Sequence, residues 1–251
     1  MNQVVEVFNK ELILNLGFEY KQFTLKTKNM TGYMRNYLCD ISKQFITQKL
    51  SENDKIMEIG CGIGAVAESL INIGYKNITT VDADKRHLDA AKLLLQESLN
   101  KTSGCKLEFI RDELPYLRSL NNRCFSSILS AQVMHYLKPK EFEIALRRIY
   151  ELLKVGGKLF LTVGSPYIQS YYGFAEEYEK KRNKIRYPGF LTNPEKYNPK
   201  GIQHHPGYFL FFDPVVLKER VSEFGFKVIE SYLFDDNNEK DAQTGLVAIK
   251  K

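Results

Sequence analysis

Cysteine is sparse in this chain of 251 residues: four are present, at positions 39, 61, 105 and 124. No two of them form a Cys-x-x-Cys pair or a finger-type metal pattern, and no metal site is expected. Reduced thiols in a cytoplasmic setting are the simplest reading. No apolar run approaches the roughly 18 residues that a membrane span requires, and no charged-then-apolar leader is visible, so neither spanning nor secretion is expected. Internal repeats and low-complexity tracts are lacking too. Charge is only mildly biased, at +6 with a pI near 8.9. Such a balance permits an acidic or nucleic-acid ligand without arguing for one, and a nucleic-acid partner is not expected. Histidine is limited to four positions, which narrows the search for a general base.

What is present is ordinary globular sequence, with 43% hydrophobic and 26% charged residues. The length suits one α/β domain carrying a cap or insertion. Its organising stretch runs from Ile56 to Leu70. Ile56 to Ile59 suits a buried strand. Gly60, Gly62 and Gly64 then allow a sharp turn and a close approach to a ligand, since none carries a Cβ. Ala65 to Leu70 is helix-forming, so the loop should open a helix with its N–H groups toward the ligand. Strand, glycine loop and helix open a dinucleotide- or nucleoside-binding sheet. Gly60, Gly62 and Ala65 also fit the Gly-x-Gly-x-x-Gly/Ala form used for NAD.

Asn77 to Val81 reads as the next strand, ending in Asp82-Ala83-Asp84. Asp82 lies roughly 20 residues past the glycine loop, where a carboxylate can accept both ribose hydroxyls. Asp84 is better placed to cap the helix that follows. Later strands are read at Lys106–Ile110, Phe125–Ala131, Lys158–Val163, Phe226–Phe234 and Gly245–Lys250, with helices over Lys140–Leu153 and from Asp213-Pro214 to Glu223.

With Glu58 two residues before the first glycine and Gly64 continuing the alternation, the loop resembles motif I of the class I S-adenosylmethionine (SAM) methyltransferases. Leu153-Lys154-Val155-Gly156-Gly157-Lys158-Leu159, with the glycine pair read as a helix C-cap, and the segment from His205 through Phe226 are similar to other stretches of that family. At one place the chain departs: Ser126 stands where the family often has Asp. The resemblance covers about Asp54 to Lys250.

It implies SAM as cofactor, with S-adenosylhomocysteine as product. The implied cofactor residues are Glu58, Gly60, Cys61, Gly62, Gly64, Asp82, Ala83, Asp112, Glu113 and Ala131, with Asp112 accepting from the adenine amino group. It also implies a seven-stranded, mostly parallel, doubly wound sheet with an antiparallel C-terminal strand. The expected organisation is a helical cap (1–50), a SAM-binding core (54–163), a substrate lid (164–212) and a C-terminal helix and hairpin (213–251). In the cap, helical spacing is read over Val4–Leu16 and Met34–Leu50, with an aromatic turn between them. Tyr20, Phe23, Tyr33 and Tyr37 are candidates for the pocket roof. The Pro/Gly/Tyr-rich stretch 164–212 is long for a structureless connection, which favours a functional lid. Its basic run Lys180, Lys181, Arg182, Lys184 and Arg186 is read as a solvated face.

For the methyl acceptor, Tyr20, Tyr33, Gln132, Tyr136, His204 and Tyr208 are the candidate contacts. His135, just past the fourth strand, and His205, before Pro206, are the candidate bases. His87, early in a helix, is expected on the surface.

NAD chemistry would usually need a second, substrate-binding domain, and Asp112 has no counterpart there. Amino-group enzymes acting on nucleic-acid bases carry (Asp/Asn/Ser)-Pro-Pro-(Tyr/Phe) after the fourth strand, where this chain has Ala131-Gln132-Val133-Met134. No Asp ends that strand to hold Mg²⁺ for catechol-type chemistry. The expectation is a methyltransferase acting on O, N or C of a small molecule. The alternatives are a nucleic-acid or protein methyltransferase and a non-catalytic SAM-binding or partner protein.

Overall fold

The computed structural model describes residues 5–51, 53–120, 124–171, 173–199, 207–235 and 242–251. The N-terminal cap starts with α1 (Lys10–Asn15), capped by the Asn9 side chain accepting from the Glu11 N–H. A small antiparallel sheet follows, made of β1 (Tyr20–Lys21), β2 (Thr24–Lys26) and β3 (Tyr33–Arg35). Next comes α2 (Asp40–Thr47), which buries Ile41, Phe45 and Ile46. The helix expected over Met34–Leu50 is therefore confined to its second half. Asn36 explains why: its N–H donates to Phe23 O at 2.8 Å, and its side chain holds both the N–H and the carbonyl of Phe8. Those bonds hold the segment before α2 out of a helix. The cap is a mixed α and β unit, not a pair of helices.

Strands and helices then alternate as β4 (Ile56–Ile59), α3 (Ala65–Asn72), β5 (Asn77–Asp82), α4 (Lys85–Lys101), β6 (Lys106–Arg111), β7 (Phe125–Ala131), α5 (Pro139–Leu152) and β8 (Leu153–Gly164). The stretch 164–212 contributes α6 (Phe174–Lys181), β9 (Phe190–Leu191) and β10 (Phe209–Leu210). Last come α7 (Pro214–Ser222), β11 (Phe226–Asp235) and β12 (Ala242–Lys250). The main sheet has seven strands in the order β11-β12-β8-β7-β4-β5-β6. Pairings from β8 to β6 are parallel, and β12 is antiparallel to both of its neighbours. The chain winds outward in both directions from β4, so the loops after β4 and β7 diverge and leave a crevice at the carboxyl ends of the strands.

Alternate residues of each strand feed opposite faces. Ile128, Leu159, Leu161 and Leu246 pack with Phe142, Leu146 and Leu217 on one side. On the other, Leu129, Phe160 and Val247 pack with Ile41, Phe45, Leu70 and Leu95. Phe45 meets Phe160 edge to face, 5.5 Å between ring centres. Burying a side chain of this size contributes about 1.5–3 kcal/mol, and α2 is held on the sheet chiefly by such contacts.

Two further expectations are corrected. Gly156 and Gly157 do not cap α5; they lie within β8, where the register with β7 slips between Phe125 and Ser127. Gly156 takes φ of 76°, and a Cβ on Gly157 would lie 2.7 Å from Lys154 O, so the pair shapes a bulge. The basic run is not wholly a solvated face either. Arg182 pairs with the buried Asp213, and Arg186 with Glu143 and Glu223. The lid has its own aromatic core of Tyr171, Phe174, Tyr178, Phe209 and Phe211. Among the described residues no helix is long and apolar enough to cross a membrane.

Candidate functional site

A cavity of about 460 Å³ occupies the crevice above β4, β5 and β7, a size suited to a small organic ligand. Its floor is the glycine loop. Gly60 and Cys61 donate their N–H groups to Val81 O at 2.8 and 3.0 Å, and Gly62 donates to Asp82 Oδ2 at 2.9 Å. These three N–H groups therefore strap the loop to the end of β5. The absence of side chains matters more. A Cβ on Gly60 would meet Val133 Cγ2 at 2.2 Å, and one on Gly62 would meet Met34 Sδ at 2.8 Å. Gly64 is different, since it does not line the cavity. It precedes α3 with φ of 89°, and a Cβ there would press on Leu95 of α4 at 2.9 Å. Its role is helix packing.

Glu58, Gly60, Cys61, Gly62, Asp82, Ala83, Asp112, Glu113 and Ala131 all line the cavity. Glu58 is buried, and its Oε2 lacks a hydrogen-bond partner. Burial, and then the neighbouring Asp82, push its carboxyl well above the usual carboxylate range. The Cys61 thiol is pushed up by burial and by the same two acids, which leaves it a poor nucleophile.

Asp82 is more heavily engaged than its sequence position implies. Oδ1 accepts from Asp84 N–H at 2.9 Å and faces His87 Nδ1 at 3.0 Å, while Oδ2 accepts from Gly62. A carboxylate has about four acceptor positions, so one remains, on Oδ2, and the two ribose hydroxyls cannot both be taken without displacing a protein donor. His87 itself is a correction: it is 2% exposed, not at the surface. As the third residue of α4, whose N-cap is Asp84, it is turned back over the end of β5. Asp112 accepts from Glu113 N–H at 2.8 Å and Ser119 N–H at 2.6 Å, which fixes its carboxylate at the rim with acceptor positions to spare.

The roof comes mainly from the cap. Thr27, Asn29, Thr31, Tyr33, Met34, Arg35 and Tyr37 line it, and of the described lid residues Tyr208 does. Tyr33, Gln132, Tyr136 and Tyr208 line the cavity. Tyr20 and Phe23 do not line the cavity; the Tyr20 hydroxyl bonds Glu6 instead. His204 and His205 lie outside the described residues. His135 is buried behind Tyr136, 4.2 Å between ring centres, and 6.1 Å from Phe209, and it does not line the cavity. The short 3-10 turn from Met134 to Tyr136 brings Tyr136 to the cavity wall, where its ring also packs on Phe209 at 5.7 Å, and leaves His135 buried beside it. Burial holds the Tyr136 phenol well above its ordinary range, so the hydroxyl keeps its proton. Arg35, Met34 and the turn at 27–31 were not found from sequence, because no spacing rule marks which cap residues will fold over the crevice.

A family model described as a methyltransferase domain matches residues 56–157. The mitochondrial ubiquinone biosynthesis O-methyltransferase of Dictyostelium discoideum is 25% identical over 155 residues, 57% of this chain and 47% of that protein. The eEF1A lysine and N-terminal methyltransferase of Mus musculus is 24% identical over 131 residues, 52% of this chain and 17% of that one. This chain thus spans about half the length or less of these relatives. A SAM-dependent methyltransferase structure from Methanosarcina mazei superposes with a TM-score of 0.60 and 19% identity, covering 85% of this chain and 98% of that one. The matched segment runs from β4 into β8 and contains the glycine loop and the acids at the ends of β5 and β6. With the seven-stranded sheet around it, the chain has the fold of S-adenosylmethionine-dependent methyltransferase structures, and residues 56–157 match a methyltransferase domain.

Proposed function

We propose that this protein binds SAM and transfers its methyl group to a small molecule. The single observation that carries the reading is the roofed cavity above the glycine loop, with the orphaned Glu58 Oε2 in its wall. The residues present fit the cofactor chemically. Glu58 suits an ammonium, Arg35 a carboxylate, the free position on Asp82 Oδ2 a ribose hydroxyl, and Asp112 an adenine amino group. SAM supplies an activated sulfonium methyl.

The chain then has to align the acceptor and exclude water. Tyr33, Gln132, Tyr136 and Tyr208 surround the acceptor end, with Gln132 held at φ of 58° and its N–H donating to Thr162 O at 2.8 Å. The Tyr136 phenol is suited to donate to an acceptor oxygen, and Glu141 is a cavity-lining carboxylate on that side. A roof of cap residues favours a small acceptor over a polymer, which would need an open groove. The Dictyostelium relative, named for ubiquinone biosynthesis, accords with that class; the acceptor and the atom methylated are left open.

Calorimetric titration tests the cofactor. SAM and S-adenosylhomocysteine should bind and NAD should not, and Asp82→Ala should cost about 1–3 kcal/mol of SAM binding. Labelled SAM incubated with fractionated lysate tests the acceptor. Label in the small-molecule fraction is expected, whereas label confined to protein or nucleic acid rejects the small-molecule assignment. No transfer to any fraction favours the non-catalytic alternative.

A further inference from the structure

His87 joins the roof of the cavity to its floor. The Lys28 backbone N–H donates to His87 Nε2 at 2.9 Å. A nitrogen that accepts an N–H carries no proton of its own, so the ring proton resides on Nδ1 and is donated to Asp82 Oδ1 at 3.0 Å. The same backbone unit is held a second time, because Lys28 O accepts from Arg86 Nη2 at 2.7 Å while Arg86 pairs with Asp84 at 2.5 Å. Lys28 belongs to a compact turn: Thr27 N–H donates to Gly32 O at 3.0 Å, and Thr31 N–H to Thr27 Oγ1 at 3.0 Å. Thr27, Asn29 and Thr31 of this turn line the cavity, and Gly32 lies directly against the Tyr136 hydroxyl. The first turn of α4 is therefore bolted to the roof on one side and to the β5 carboxylate on the other.

We propose that His87 is a positioning residue that couples the 27–32 roof turn to Asp82, so that occupation of the cofactor subsite and closure of the roof reinforce each other. The ring does two things at once. Its Nδ1–H fills one position on Oδ1 and thereby aims the open position of Oδ2 at the cavity. Its Nε2 satisfies an amide of the roof, so a change in the Asp82 carboxylate is transmitted to Lys28 through one rigid ring. Coupling of this kind is reciprocal: whatever tightens one end tightens the other by the same factor. The proposal rests on the reading of Asp82 as a cofactor ligand, but its geometry is a property of the chain alone.

Two measurements test it. In the protein without cofactor, nitrogen NMR of the imidazole at about pH 8, above the ordinary histidine range, should show the proton on Nδ1; a proton on Nε2 overturns the proposal. Amide exchange at Lys28 is then followed with and without SAM. Adding SAM should slow this exchange about tenfold in the parent and leave it unchanged in His87→Phe, which keeps the ring shape but neither bond; SAM affinity should fall about tenfold in the same variant. Should that variant fail to fold, His87→Asn keeps a donor toward Asp82, loses the acceptor for Lys28, and should uncouple the turn likewise. Equal slowing by SAM in parent and variant overturns the coupling. If the parent does not bind SAM at all, the cofactor reading fails, and the clamp stands or falls on the tautomer and on faster Lys28 exchange in the variant without ligand.

Discussion

The Tyr178 hydroxyl of α6 donates to Asp213 Oδ2 at 2.6 Å, and both residues are buried to within 1%. Asp213 also caps α7 through the Val216 N–H at 2.8 Å and pairs with Arg182 of the lid at 2.5 Å. One carboxylate thus anchors the insertion to the helix that packs on the sheet. Tyr178→Phe keeps the ring and removes the donor. A buried hydrogen bond to a charged acceptor contributes about 1.5–3 kcal/mol, and a loss of that order is expected in urea denaturation. Hydrogen exchange should rise in α6 and β9 while the core strands are unaffected. Unchanged stability and exchange would show that the anchor is Arg182 alone.

Glu58 predicts a pH dependence. Its carboxyl is raised in the fold by burial and by Asp82, so the folded chain keeps the proton where the unfolded chain, near the ordinary value of about 4.3, has lost it. That contribution to stability is present at low pH and is lost as pH rises through the raised value. Asp54 and Asp84, held low by hydrogen bonds to Lys154 and Arg86, act in the opposite sense at lower pH. The quantity to measure is therefore the difference in Tm between the parent and Glu58→Gln. It should shift against the parent as pH rises above about 4.3, and saturating SAM, which favours the ionised form, should offset the loss. A pH-independent difference contradicts this account.

Gly62 lies at φ of 53° with Met34 Sδ above it. Gly62→Ala meets a left-handed backbone that costs an alanine about 1–2 kcal/mol, as well as the methionine. Loss of that order in stability and a marked loss of SAM affinity are expected. Met34→Ala in the same chain should recover only the steric part, because the dihedral strain is unaffected. Full recovery would place the whole effect in the roof contact.

The acceptor end separates two neighbours in sequence. His135→Gln should leave the pH profile of turnover unchanged, since the imidazole faces Phe209. Tyr136→Phe should lower kcat/KM about tenfold or more, equivalent to ~1.4 kcal/mol, with SAM affinity retained. Loss of an ionisation between about pH 6 and 8 in His135→Gln would restore the histidine as the base.

Local chemistry made much of this protein legible before any coordinates. Three alternating glycines, an acid ending the second strand and short apolar runs are short-range patterns, and they led to the strands and the position of the cavity floor, while the seven-stranded sheet was what a family resemblance implied. Other features depended on residues far apart in the chain. Asn36 holds Phe8 and turns an amphipathic stretch into strand, and Lys28 meets His87 across 59 positions. The same holds at the acceptor end, where one 3-10 turn decides that Tyr136 and not His135 faces the cavity. Periodicity says which face of an element is apolar. It does not say which distant backbone amide will need an acceptor, and satisfying those buried groups is what ties Lys28 to His87 and Gly62 to Asp82.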